Sequence, residues 1–185
     1  MKIEEGTIAG LFRIVPTPFA DDRGSFFRYF CRDTFRSHGI ADVDFVQFNH
    51  SFNHRRGTLR GMHYQMPPHA EAKFIRCVRG AVYDVFVDLR QGSPSFLRWD
   101  AQELSATNHV MVHLPPGIAH GFITLEDDSE LLYHHSATYT PEAERGLRYD
   151  DPRLAIDWPL APTVISERDL GHPPLADDFA GLAMP

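Results

Sequence analysis

At 185 residues, with 43% hydrophobic and 12% aromatic content, the chain can bury a sizeable core without disulfide staples, and its length favours one domain. Its 18 Lys and Arg against 25 Asp and Glu leave a net charge of -7, which disfavours nucleic acid and anionic membranes as partners but allows a small anion held by a few focused cations. No uncharged run approaches the roughly 20 residues of a membrane span; the start Met1-Lys-Ile-Glu-Glu-Gly6 has no apolar export stretch, and only Cys31 and Cys77 are present, so a reducing cytoplasm is the expected setting.

Gly, Pro, Asn and Asp recur about every 8 to 12 residues between segments rich in aromatic and β-branched residues, the rhythm of an all-β chain. In chain order, strands are predicted at residues 25–30, 45–52, 73–78, 81–89, 96–104, 109–114, 121–125 and 130–139. A short helix is predicted at 32–38, closed by Gly39, with a helical turn after Ser166. Residues 150–185 carry Pro152, Pro159, Pro162, Pro173, Pro174 and Pro185 and read as an extended wrap, so 1–185 is expected to form a single domain. Eight or more strands suit a barrel or jelly roll with a few short peripheral helices.

The clearest alternation is 81–89, where Val82, Asp84, Phe86 and Asp88 share one face and Tyr83, Val85, Val87 and Leu89 the other. Asp84 is a carboxylate among apolar face-mates. The densest polar cluster is Gly57-Thr-Leu-Arg-Gly-Met-His-Tyr-Gln65, followed by Lys73 and Arg76. Arg60 and His63 are three apart, so a regular strand sends them to opposite faces, and a bulge at Gly61 would reunite them. A plain surface turn is the alternative reading.

The second cluster, Pro115-Pro-Gly-Ile-Ala-His-Gly-Phe122, is a tight turn that delivers His120 onto a strand. Its Pro-x-Gly-x-x-His pattern is similar to half of the motif pair of cupin barrels. Metal-binding cupins carry a second histidine where this chain has Gln65, and the Lys73 ammonium repels a cation, so no metal is expected. What remains is His63, His120, Lys73, Arg60, Asp84 and Tyr133, equipment for moving a proton beside a carbonyl. That chemistry needs a base poised near neutral pH, a cation at the enolate oxygen, and, for epimerisation, an acid on the opposite face. Tyr133 taken alone reads more readily as core packing.

Several motifs in order carry a resemblance: Phe19-Ala-Asp-Asp-Arg-Gly-Ser-Phe26, the 57–65 cluster, Lys73-Phe-Ile-Arg-Cys-Val-Arg-Gly80, Asp84-Val-Phe-Val-Asp-Leu-Arg90, Ser93-Pro-Ser-Phe96, Pro116-Gly-Ile-Ala-His-Gly-Phe122 and Ile156-Asp-Trp-Pro159. Over residues 10–169 the chain resembles the dTDP-4-dehydrorhamnose 3,5-epimerases, cupin nucleotide-sugar epimerases. The resemblance implies an all-β cupin jelly roll, a homodimer, and cofactor-free, metal-free epimerisation beside the 4-keto group of a nucleotide-linked 6-deoxyhexose. By motif it makes His63 the base, Asp169 the carboxylate that orients it, Tyr133 the acid and Lys73 the enolate's cation. His120 and Asp84 become a second pair, and Gln47, Asn49 and Arg60 line the substrate site. Arg23 and Phe26 belong to an N-terminal segment, about 1–30, that reaches the neighbouring subunit's nucleotide.

Arg28 stands where the family commonly has Glu; His134 replaces a Lys, and Thr138 the first of two adjacent aromatics. These departures leave the base open among thymidine, cytidine and guanosine, and C3 against C5 undecided. A sugar-nucleotide 3,4-ketoisomerase, a non-catalytic binder and a metal-dependent cupin oxygenase are the competing readings, with Gln65 against the last. No role is expected for His50, His54, His69, His109, His113, His134, His135 or His172, and Cys31 and Cys77 read as packing residues.

Overall fold

The computed structural model describes residues 1–41 and 43–184; Asp42 and Pro185 lie outside the described residues. In chain order the strands begin with β1 (Lys2–Glu5), β2 (Phe12–Val15), β3 (Phe19–Asp21) and β4 (Gly24–Phe26), then, after helix α1 (Arg32–Ser37), β5 (Gln47–Asn53) and β6 (Leu59–Gln65). They continue as β7 (Lys73–Arg79), β8 (Ala81–Asp88), β9 (Trp99–Ser105), β10 (Met111–Leu114), β11 (Ile118–Thr124), β12 (Ser129–His135) and β13 (Glu144–Gly146), and α2 (Glu167–Leu170) follows.

Two antiparallel sheets form the jelly roll, one ordered β1-β2-β10-β7-β12-β5 and the other β13-β6-β11-β8-β9. β3 and β4 make a separate two-stranded ribbon. The alternation read from β8 decides how the layers fit. Val82 and Phe86 point between the sheets into a core with Ile75, Val112 and Leu131. Val85, Val87 and Leu89 point outward, where Leu154, Leu175 and Leu182 of the C-terminal stretch cover them. A third cluster packs Phe35 of α1, Ile40 and Val43 against Phe74. Burying each such side chain removes enough apolar area to contribute about 1.5–3 kcal/mol.

Several predicted boundaries shift. The segment predicted from residue 25 stays a strand only to Phe26, and the one predicted from 96 begins at Trp99. Residues 93–98 turn instead, because the Ser93 and Ser95 hydroxyls donate to Asp88 Oδ2 at 2.6 and 2.7 Å and Leu97 adopts φ 58°. β11 starts three residues before the prediction and β12 ends at His135. Strands β1, β2 and β13 carry no pattern strong enough to predict: each is three or four residues long, and pairing with a neighbour holds it.

Candidate active site

The polar cluster of 57–65 becomes β6, and its register against β11 decides what it displays. His63 pairs with His120 and Arg60 with Phe122, so three steps on β6 oppose two on β11. The extra residue is the expected bulge. Gly61 sits in it at φ +123° against the backbone of Gly121, where a Cβ would clash. Arg60 and His63 thereby both line one cavity of about 880 Å³.

At the edge of that cavity His63 Nε2 lies 2.8 Å from Asp169 Oδ1, while the Gly61 N–H donates to Asp169 Oδ2 at 3.2 Å. The local sequence explains why Asp169 is there: Ser166 caps α2, its hydroxyl accepting from the Asp169 N–H at 3.1 Å. Burial pushes the Asp169 carboxyl up, but His63, the Gly61 N–H and Arg168 outweigh it and hold it at about 2. An ionised carboxylate accepting from Nε2–H fixes the tautomer, leaving Nδ1 as the proton-accepting nitrogen, and steadies the imidazolium once it forms.

A second pair lies deeper. His120 Nε2 is 2.5 Å from Asp84 Oδ1, and both residues are buried. Burial pushes the Asp84 carboxyl up and the His120 imidazole down, in each case against their mutual attraction. The pair therefore leans towards its uncharged form. Tyr133 meets His120 edge to face at 5.8 Å, and burial, helped by Asp84, pushes its phenol well above the ordinary range. That hydroxyl holds its proton until a strong base forms beside it.

Lys73 comes from β7, on the sheet opposite β6, and its Nζ lies 3.5 Å from the His63 carbonyl. Its carboxylate partner is Glu71, with Oε1 3.3 Å from Nζ. Glu71 Oε2 lies 3.1 Å from His135 Nδ1 and accepts from Gln65 Nε2 at 3.2 Å.

Among the other predicted site residues, Arg60 lines the cavity and donates to Asn53 Oδ1 at 2.7 Å. Asn49 lines it too; Gln47 stands behind, donating to Asn49 and accepting from the Tyr139 N–H at 2.9 Å. Arg23 and Phe26 do not line the cavity of their own chain. Arg23 is exposed and paired with Asp21, and Phe26, 78% exposed, borders a separate small recess with Arg28. Sequence reasoning missed Glu71, His135, Arg168 and His172. Arg168 precedes Asp169, with Nη2 3.1 Å from His63 Nε2, and His172 Nε2 lies 3.7 Å from Asp169 Oδ1. The available signal is closeness in sequence: Glu71 to Lys73, His135 to Tyr133, and Arg168 and His172 to Asp169.

A jelly roll with a histidine on one sheet held by an ionised aspartate of a short helix, and a lysine and a protonated tyrosine on the other sheet, defines a cupin-type carbohydrate epimerase of the isomerase class. A family model for dTDP-4-dehydrorhamnose 3,5-epimerase matches residues 5–177, and the chain belongs to that family. A dTDP-4-dehydrorhamnose 3,5-epimerase of Sinorhizobium fredii is 43% identical over 178 residues, 96% of this chain and 91% of the relative. The structure of a dTDP-6-deoxy-D-glucose-3,5-epimerase from Legionella pneumophila, in complex with dTDP-4-keto-L-rhamnose, is 35% identical with a TM-score of 0.90, covering 100% of this chain and 98% of that one. A 3'-monoepimerase from Streptomyces bikiniensis, in complex with dTDP-quinovose, is 38% identical with a TM-score of 0.84 over 91% of this chain and 85% of that one.

Proposed function

We propose that this protein inverts C3, or C3 and C5, of a dTDP-linked 4-keto-6-deoxyhexose, converting dTDP-4-dehydro-6-deoxyglucose to dTDP-4-dehydrorhamnose when both centres turn over. The observation that carries the reading is the placement of base and acid: His63 stands on β6 in one sheet and Tyr133 on β12 in the other, with the cavity between them. His63 takes the proton α to the ketone, the Lys73 ammonium stabilises the enolate oxygen, and Tyr133 returns a proton from the other face. Solvent then removes the proton from His63 and restores the one on Tyr133. Each inversion is a pair of proton transfers with no change of oxidation state, so it calls for no cofactor or metal.

The substrate class draws support from the named activities of the relatives and from Arg60, whose guanidinium suits a diphosphate. A single-domain homodimer in the cytoplasm completes the proposal. β5 is a sheet edge with Phe48 65% exposed, and Phe19 and Phe26 are more than two-thirds exposed on the β3–β4 ribbon, surfaces that a second copy would cover while delivering Arg23 and Phe26 to its partner's cavity. Among the described residues no helix is long and apolar enough to cross a membrane. The test is incubation in deuterated water with the dTDP, CDP and GDP conjugates of 4-keto-6-deoxyglucose, read by NMR. Label at C3, or at C3 and C5, with dTDP alone is expected; label with another nucleotide moves the specificity, and none with any of the three rejects the reading.

A further inference from the structure

We propose that His63, Asp169 and His172 form an inhibitory site for a zinc-class divalent cation. One ligand atom from each of the three residues lies within 4.8 Å of the other two, and Asp169 Oδ1 is 2.8 Å from His63 Nε2 and 3.7 Å from His172 Nε2. Zinc binds imidazole nitrogen and carboxylate oxygen at about 2.0–2.2 Å, which places tetrahedral ligand atoms about 3.3–3.6 Å apart, so shifts of no more than about 1.5 Å complete three corners.

The position of His172 is built rather than incidental. Its Nε2 is buried with no hydrogen-bond partner, and its ring meets His63 edge to face at 5.8 Å. The ring lies against Gly146 of β13, the residue in register with His63, where any side chain would collide with it. Two imidazoles and one carboxylate suit zinc, cobalt or nickel, and not the oxygen-seeking magnesium or calcium.

Arg168 opposes the cation, with Nη2 3.1 Å from His63 Nε2 and Nε 3.5 Å from Asp169 Oδ1. It is more than half exposed, and its Nη1 already donates to both Glu144 oxygens at 3.2 Å, so it withdraws onto Glu144 as the metal enters. Inhibition rests on the proposed role of His63. A neutral imidazole has one free lone pair; metal at Nε2 forces the remaining ring proton onto Nδ1, and the ring can accept nothing from substrate.

Calorimetric titration of zinc chloride into the full chain, beside the deuterium-exchange assay, tests both halves. The wild type is expected to take up one zinc per chain with micromolar affinity and to lose exchange in proportion to occupancy; a chelator restores it, and magnesium has no effect. His172→Gln and His172→Phe, which leave the proposed proton-transfer groups in place, are expected to turn over without metal and to bind zinc at least about tenfold more weakly. Cobalt in the wild type is expected to give tetrahedral visible bands, which keeps the site testable should a variant fail to fold. Equal zinc affinity in wild type and variants, octahedral cobalt bands, or full occupancy with unchanged exchange each overturns the proposal. Calorimetry and cobalt spectra need no turnover, so failure of the site is distinguishable from failure of the epimerase reading.

Discussion

The two His–Asp pairs use the same side chains and give opposite chemistry. His63 and Asp169 sit at the cavity edge, where an imidazole, a backbone N–H and a guanidinium keep the carboxylate ionised at about 2. His120 and Asp84 are enclosed; burial dominates, the carboxyl rises and the imidazole falls, and Asp84 Oδ2 has no partner. Access to water and the number of donors on the carboxylate, more than the His–Asp contact itself, separate the charge states of the two pairs, and with them the roles proposed for each. His120 holds the Tyr133 ring edge to face, and burial is the main cause that keeps its phenol protonated.

The largest expected effect falls on the pair with the ionised carboxylate. His63→Ala is expected to lower kcat by about 10²–10⁴-fold, with the thermal midpoint nearly unchanged and dTDP binding retained. Asp169→Asn keeps the shape but removes the charge that supports the imidazolium; a loss of about 10²-fold, mostly in kcat rather than KM, is expected from steady-state kinetics. Asp84→Asn removes much less charge, because burial already favours the protonated form, and kcat is expected to fall by less than about tenfold. Were Asp84→Asn to cost as much as Asp169→Asn, the distinction between the pairs would collapse.

The smallest effect is a pH dependence of stability, and Asp88 supplies the contrast to Asp84. Burial pushes Asp88 up, but hydrogen bonds from Arg90, Ser93 and Ser95 outweigh it and hold it at about 2, below its ordinary 3.8. A depressed carboxyl stabilises the fold above the unfolded pKa, and the contribution is lost as pH falls from about 4 towards 2. It amounts to about 2 kcal/mol. Asp84 has the opposite sign, so its ionisation contributes nothing that acid removes. Denaturant unfolding between pH 5 and 2 is therefore expected to show a flatter acid limb in Asp88→Asn and a steeper one in Asp84→Asn, which loses the stability that a raised carboxyl regains as pH falls towards the unfolded pKa.

Much of this site is legible in the chain because its signals are local. Alternation in 81–89 placed Asp84 inside, Gly61 announced the bulge that reunites Arg60 with His63, Pro115-Pro-Gly set up His120, and Ser166 marked the cap that positions Asp169. What stayed hidden depends on contacts between distant segments. The Glu71–His135 pair spans 64 residues and exists only because β7 and β12 are neighbours. His172 was one of eight histidines without a motif, and only the return of the C-terminal stretch onto β6 and β13 sets it beside His63. Arg168 reads as an ordinary helix charge until α2 docks.

The central claim is that base and acid face each other from opposing sheets. Solvent deuterium incorporation into dTDP-4-keto-6-deoxyglucose, followed by NMR in the wild type, His63→Ala and Tyr133→Phe, tests it most directly. The account predicts label with inversion in the wild type, no label in His63→Ala, and label without inversion in Tyr133→Phe, where His63 still removes and returns the proton on its own face. Label at the wild-type rate in His63→Ala, or full inversion in Tyr133→Phe, would contradict it.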